Sequence, residues 1–328
     1  MKVKKYGFAV LFAIVLFVFT GYLLADTFLI SRVYTVVEQA QTPVGQEESE
    51  TVEFVLSQPT AQPDVTEQTE AAAQPTAEAL TIAPVSDETS YSDGNIAIAL
   101  STYRIADTTV YVADVQLSSA DYLKTAFAQS AYGRNVTEKT SSIASSVDAI
   151  LAINGDYYGA QRSGYVIRNG VLYRSSSSGS EDLVIYADGS FDIVNENDVT
   201  AEALLERGAW NVLSFGPALV ADGTVAVGVN DEVGKAMASN PRTAIGMIDD
   251  LHYVFAVADG RTSASEGLSL YELATFLQEL GVKTAYNLDG GGSSSMVFMG
   301  NLINNPTTNG KRTSERSVSD IVYIGYGA

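Results

Sequence analysis

The chain has 328 residues, with 39 acids against 19 lysines and arginines, a formal charge of −20, no cysteine and one histidine. That balance argues against nucleic acid as a partner and removes thiol chemistry and cysteine-ligated metals. With His252 the sole imidazole, histidine-rich metal sites are excluded and a serine–histidine–acid triad is disfavoured.

Lys2, Lys4 and Lys5 precede an uncharged stretch over 6–25, whose apolar run of 18 residues begins at Phe8. That is long enough to span a bilayer and longer than the apolar core of a cleaved signal, and Leu23-Leu24-Ala25 is a poor cleavage site. Residues 1–25 are therefore expected to be a single-pass signal-anchor. Lysines before the span and none just after it place the N-terminus in the cytoplasm and the rest of the chain outside the cell membrane.

Residues 26–90 hold twelve acids and one base, Arg32, among Gln, Thr, Ala and Pro. Such a composition buries too little apolar surface to offset its ordering entropy. It reads as a disordered tether with a short helical stem over 28–37, averaging roughly 45 Å end to end as a coil and reaching about 200 Å when stretched. Residues 91–328 are left as the head, enough for one sizeable core.

In the head, alternating β-branched segments predict strands over 95–100 and 109–117. Ser118 and Asp121 suggest a capped helix through 130, and 140–147 a second short helix. The apolar run 149–153 predicts a buried strand delivering Asn154-Gly155-Asp156-Tyr157-Tyr158. Short strands over 164–168, 171–174, 183–187 and 191–194 are separated by Asn-Gly and Asp-Gly turns. Ser269 and Glu272 form a capping box for a helix over 270–280, with Leu270, Leu273, Ala274, Leu277 and Leu280 on one face and Gly281 past its end. It lies between apolar strands over 251–258 and 284–288, and 320–324 closes the chain as a strand. The expected class is α+β, a mixed but strand-rich single globular head with a few helices.

Chemistry concentrates after the apolar runs. Asn154 and Asp156 follow one, Asp259 and Arg261 another, and Asn287 and Asp289 a third. The richest segment runs from Asn287 through Asp289, Gly290, Gly291, Gly292, Ser293, Ser294 and Ser295. Glycines let a backbone approach a ligand closely, and hydroxyls and free N–H groups bind anionic oxygens. The segment is not a P-loop, a dinucleotide fingerprint or a nucleophile elbow. Arg242, Arg261 and Arg316 recur in similar contexts, and a planar guanidinium grips phosphate with two bonds. His252 reads as a structural residue at a sheet edge. Tyr157, Tyr158 and Tyr165 could stack on a sugar, although core packing suits most tyrosines of this chain, and Trp210 carries no signal.

In order, Ile153-Asn154-Gly155-Asp156-Tyr157-Tyr158, Phe215-Gly216-Pro217, Asn240-Pro241-Arg242-Thr243-Ala244, Asp259-Gly260-Arg261, Gly267-Leu268-Ser269, Asn287 through Ser295 and Glu315-Arg316-Ser317 resemble the phosphodiester glycosidase family. Its animal member is the mannose-6-phosphate uncovering enzyme, and its bacterial members are often labelled exopolysaccharide biosynthesis proteins. The resemblance covers 149–328, with phenylalanine expected where Tyr157 or Tyr158 stands. It implies hydrolysis of a sugar-1-phosphodiester, here in a cell-wall polymer or exopolysaccharide. The expected catalytic carboxylates are Asp289 and Asp156, as nucleophile or water-activating base, with Asp259 orienting an arginine. Arg242, Arg261, Arg316, Asn154, Asn287, Gly290, Gly291, Gly292, Ser293 and Ser294 are the expected substrate contacts. No cofactor is required, and an oxygen-ligated divalent cation stays open. The alternatives are a non-catalytic glycan-binding module and a transferase in exopolysaccharide assembly.

Overall fold

The computed structural model describes residues 7–36, 85–86, 88–232 and 239–327. The head is strand-rich with few helices, as expected. Its frame is a nine-stranded antiparallel sheet. From one edge the order is Thr224–Val225, Ala218–Ala221, Thr284–Leu288, Arg242–Asp249, His252–Ala258, Thr108–Leu117, Ile96–Ile105, Ser90–Ser92 and Val85–Ser86.

Both faces of this sheet are covered, which is why its central strands are continuously apolar. In His252–Ala258, Tyr253, Phe255 and Val257 join one core, and Val254, Ala256 and Ala258 join the other. The second core is closed by the helix Leu270–Glu279 through Leu270, Leu273, Ala274 and Leu277. Its capping box forms as the sequence implies: the Ser269 hydroxyl accepts from Glu272 N, and the Glu272 carboxylate accepts from Ser269 N. On the other face sit two five-stranded sheets. One carries Leu151–Asn154, Met296–Phe298 and Asp320–Ile324; the other carries Val166–Arg168, Glu181–Tyr186 and Ala209–Leu213.

Three local expectations give way. The helix expected from Ser118 to 130 is a single turn, Ala120–Tyr122, followed by the strand Leu123–Phe127. Leu123, Thr125 and Phe127 point inward with the period of a strand, and the segment pairs with Asp320–Ile324, so the Ser119–Asp121 contact caps only that turn. His252 opens an interior strand rather than an edge one and pairs with Asp114 at 3.1 Å.

The third concerns the N-terminal segment. A 22-residue helix, Gly7–Phe28, is long and apolar enough to cross a membrane. The stem expected over 28–37 is not a continuation of that helix but a strand, Arg32–Val36, paired antiparallel with Ala131–Arg134 of the head. Its alternating Val33, Tyr34, Thr35 and Val36 favour extended backbone. Ser31 Oγ donates to Asn135 O at 2.8 Å and Asn135 Nδ2 to Ile30 O at 3.0 Å, so the head is fastened directly beyond the helix. Of the remainder of the expected tether, 37–84 and 87 lie outside the described residues.

Candidate active site

Antiparallel pairing decides which strand ends meet. Thr284–Leu288 and His252–Ala258 flank Arg242–Asp249 on either side, with Leu288 opposite Thr243 and Ala258 opposite Arg242. The ends of two strands and the start of the one between them therefore share an edge of the sheet. They deliver Asp289, Asp259 to Arg261, and Arg242 together. His252 is at the opposite end of its strand, about 20 Å away at the rise of an extended chain.

At this edge is a cleft of ≈ 290 Å³, lined by Arg242, Arg261, Arg316, Asp289, Asn287 and the backbone of Gly290 and Gly291, with Tyr157 and Phe215 as aromatic walls. The three consecutive glycines each meet a different neighbour. A Cβ on Gly290 would lie 2.8 Å from Pro241 O, one on Gly291 2.9 Å from Arg261 Nη2, and one on Gly292 2.5 Å from Thr308 Oγ1 and 3.0 Å from Arg316 Nη2. Gly291 also has φ +63°, a conformation costly for a side chain. The triplet is thus what lets three arginine-bearing segments close around one carboxylate.

Asp289 is 9% exposed, and its Oδ2 is buried without a hydrogen-bond partner. Burial pushes its carboxyl above the usual range, opposed by the Ser293 hydroxyl, the Arg316 charge and the Gly290 N–H, and reinforced by the charge of Asp156. Arg261 is held by Asn240 Oδ1 (3.0 Å from Nη2) and by Thr308 O (2.7 Å from Nη1). Burial and the neighbouring Arg316 lower its pKa, while Asp289 raises it. Arg316 Nη1 reaches Ser293 Oγ at 3.5 Å. Arg242 donates from Nε to Leu268 O and from Nη2 to Glu232, both at 2.8 Å.

Other expected site residues are placed behind the cleft. Asn154 is fully buried; its Nδ2 donates to Asp289 O at 2.6 Å, and its Oδ1 accepts from Thr243 Oγ1 and Ser295 N. It staples the loop rather than facing a substrate. Asn287 Nδ2 donates to Gly216 O, but Asn287 lines the cleft and its Oδ1 is unpartnered. Ser293 binds Arg316, whereas Ser294 lends its carbonyl to Asn304 Nδ2.

Two of the three expected catalytic carboxylates do not line the cleft. Asp156 is fully buried; Oδ2 accepts from Arg168 Nη2 and Ser214 N, both at 2.8 Å, and Oδ1 from Tyr158 N. Its carboxylate belongs to an ion cluster with Arg168 and Asp320, whose Oδ2 also accepts from Arg168 at 2.8 Å. Gly155 is required there because a Cβ would collide with the Asp320 carboxylate. Asp259, expected to orient an arginine, instead accepts from Asn304 Nδ2, Asn305 N and Asn305 Nδ2, and so fixes the loop that covers the glycines.

Sequence reasoning missed Arg168, Asp320 and Glu232, which sit in apolar or featureless contexts. It also missed a second acid pair beside Ser214. Asp182 is fully buried, and burial together with the charge of Glu196 pushes it up to about 9. Burial also opposes ionisation of Glu196, but bonds from Tyr165 N and Ser178 outweigh it and hold that carboxyl low. Folding therefore retains a proton on Asp182 that the unfolded chain releases above about 3.8, so stability falls as pH rises through that window to about 9. In Asp182→Asn that slope is expected to vanish. The Tm difference, variant minus wild type, should climb between these pH values and then level off, whereas a constant offset in thermal melts would refute the assignment.

The sequence profile of the family described as "Phosphodiester glycosidase" matches residues 148–325, more than half of the chain and the whole of this site. The chain belongs to the phosphodiester glycosidase family. Among its relatives is the SPbeta prophage-derived uncharacterized protein YomE of Bacillus subtilis, 30% identical over 201 residues, which are 60% of this chain and 31% of that protein. The mouse N-acetylglucosamine-1-phosphodiester alpha-N-acetylglucosaminidase is 42% identical over 66 residues, 20% of this chain and 13% of the mouse protein. The chain thus spans less than a third of the length of the curated relatives it matches. Its fold is shared with the catalytic domain of the zebrafish N-acetylglucosamine-1-phosphodiester alpha-N-acetylglucosaminidase, at TM-score 0.56 and 22% identity over 71% of this chain and 83% of that one. A hypothetical protein from Synechocystis superposes at TM-score 0.54 and 15% identity, over 70% of this chain and 62% of its own.

Proposed function

We propose that this chain is a hydrolase of glycosyl phosphodiesters, held outside the cell membrane by helix Gly7–Phe28 and acting on a cell-wall polymer or exopolysaccharide. The observation that carries the reading is a single buried carboxylate, Asp289, with an unpartnered oxygen in a cleft where Arg242, Arg261 and Arg316 converge. The arginines suit the phosphate through charge-assisted bonds, and Tyr157 and Phe215 offer flat apolar faces to a sugar ring.

In this reading Asp289 takes a proton from a water that attacks the anomeric carbon. The bond from that carbon to the phosphate oxygen breaks, its electron pair leaves with the phosphomonoester, and Arg261 and Arg316 hold the departing charge. Glycosidases ordinarily pair this carboxylate with a second, acidic one that protonates the leaving oxygen. Asp289 is the one carboxylate lining the cleft among the described residues, and a phosphomonoester departs as an anion without that proton, so the guanidinium groups take the place of the acid. Among the described residues no group of three or more Asp, Glu or His is placed to hold a metal ion.

The test is incubation with a UDP-sugar or an α-glycosyl phosphodiester, following free reducing sugar and phosphomonoester together. Release of both supports hydrolysis. Binding without release would leave a glycan-binding module, and product appearing only with an added acceptor glycan would indicate a transferase. Arg261→Gln is expected to lower kcat/KM by about 10²–10³-fold, the scale of losing a donor to developing charge. Arg261→Lys should restore little of it, because an ammonium cannot reproduce a two-pronged grip. Near wild-type turnover in Arg261→Gln would remove the arginine from the mechanism.

A further inference from the structure

The membrane-proximal end of the head carries a second pocket, of ≈ 320 Å³, that shares no lining residue with the catalytic cleft. Among the described residues its walls include Arg32, Arg134, Arg162 and Arg174, with Asp26 as the one acid. Four arginines around one carboxylate stand out in a chain where acids outnumber bases by 39 to 19. Asp26 neutralises part of that charge through Arg32 and, at 3.6 Å, Arg134.

Arg174 is built into the wall. Its Nε donates to Gly164 O at 2.6 Å and its Nη1 to Tyr158 O and Gln161 O, while Nη2 is buried with no hydrogen-bond partner. A guanidinium fixed on one side with an orphaned N–H group on the other is poised for an oxyanion. The floor is aromatic, with Tyr132 and Tyr158 stacked at 5.4 Å and Tyr34 at 5.8 Å from Tyr132. Tyrosine and arginine together are the residues that favour the boundary between headgroups and water.

Position selects the source of the anion. Asp26 lies in the last turn of helix Gly7–Phe28, and Arg32 and Tyr34 lie in the strand immediately after it, so the pocket sits where the chain leaves the apolar span. We propose that this pocket binds the phosphate headgroup of an anionic phospholipid and so clamps the head against the bilayer. The inference rests on the reading that Gly7–Phe28 spans a membrane, and it adds a lipid-binding site separate from the catalytic one.

The experiment uses the full chain. Flotation on phosphatidylcholine vesicles first tests the anchor by itself. Protein in neutral detergent is then offered phosphatidylglycerol, phosphatidylcholine or inorganic phosphate. Native mass spectrometry counts retained lipid, and hydrogen exchange follows the backbone over 30–36 and 131–134. Phosphatidylglycerol should be retained about tenfold over phosphatidylcholine, roughly 1.4 kcal/mol, and should slow exchange in both segments. Arg162→Glu, which reverses an exposed charge at the pocket, should abolish the selectivity while leaving sugar release from a soluble substrate unchanged. Gly133→Val provides a second route: a Cβ at Gly133 collides with Arg32 O, so the strand should undock and both signals disappear. Equal retention of the two lipids, or undiminished selectivity in Arg162→Glu, would overturn the site. Protection by inorganic phosphate without retention of phosphatidylglycerol would overturn the lipid source. A chain that floats but does not select keeps the anchor and loses the pocket, and one that fails to float loses the anchor.

Discussion

Asp289→Asn is expected to lower kcat/KM by about 10³-fold or more, toward the upper end of what a positioned acid–base group supplies. The substitution keeps the shape of the loop and the three arginines, and removes only the group able to accept a proton at the unpartnered Oδ2 position. Affinity for a phosphomonoester product should hold or tighten, since an anion has been removed from beside the arginines. Calorimetric titration would check this. Running the wild-type reaction in ¹⁸O-labelled water locates the attack: label in the released sugar supports attack at carbon, and label in the phosphate refutes it. Retained turnover in Asp289→Asn would refute the mechanism directly.

The pH dependence carries a second sign test for the same residue. Burial raises the Asp289 carboxyl above its ordinary 3.8, so the acidic limb of kcat/KM should lie above the usual carboxylate range. Arg316 opposes that rise, and Arg316→Gln should therefore move the limb to still higher pH. The raised value also has a stability consequence. The favourable contribution is complete below the unfolded pKa and is lost as pH rises through the folded one. At neutral pH Asp289 is thus a net cost to folding, and Asp289→Asn should melt no lower than wild type. Lost activity with an undiminished Tm separates catalysis from damage to the fold.

How far the site could be read from sequence differs between its parts. Asp289 and the glycines were legible because a carboxylate beside three residues without Cβ is a local signal, and the apolar run before it marked a strand end. Arg242 and Arg261 were legible for the same reason, once neighbouring strands placed them at one edge. Asp156 shows the limit. Its motif, Asn154-Gly155-Asp156, has the appearance of a catalytic turn, yet each member serves a partner distant in sequence: Asn154 the glycine loop, Gly155 the Asp320 carboxylate, and Asp156 the Arg168 guanidinium. No local pattern distinguishes a buried ion pair from an active carboxylate. The strand Arg32–Val36 was hidden similarly, because a short β-branched segment acquires its conformation only from the partner strand Ala131–Arg134.

The buried cluster yields the largest expected effect on stability. Arg168→Met should destabilise the protein by about 3–5 kcal/mol, the scale of breaking a buried ion pair from one side. Arg168 joins Val166–Arg168, through Ile167 O and Val212 O, to Asp320 on the neighbouring sheet and to Asp156 behind the cleft. Without it, two buried carboxylates face each other unpaired. Burial pushes Asp320 up to about 7 even with Arg168 in place, Arg168 lowering it and Asp156 raising it. Removing the cation should raise it further, so the variant's deficit should widen as pH rises from the acid range, where Asp320 is protonated, toward neutrality and beyond. Adding Asp320→Asn to Arg168→Met should recover part of the loss, because one of the stranded charges has gone. Urea titrations of the single and double variants across pH decide the matter. A deficit that is independent of pH, or a double variant worse than the sum of its parts, would show that Arg168 acts by packing alone.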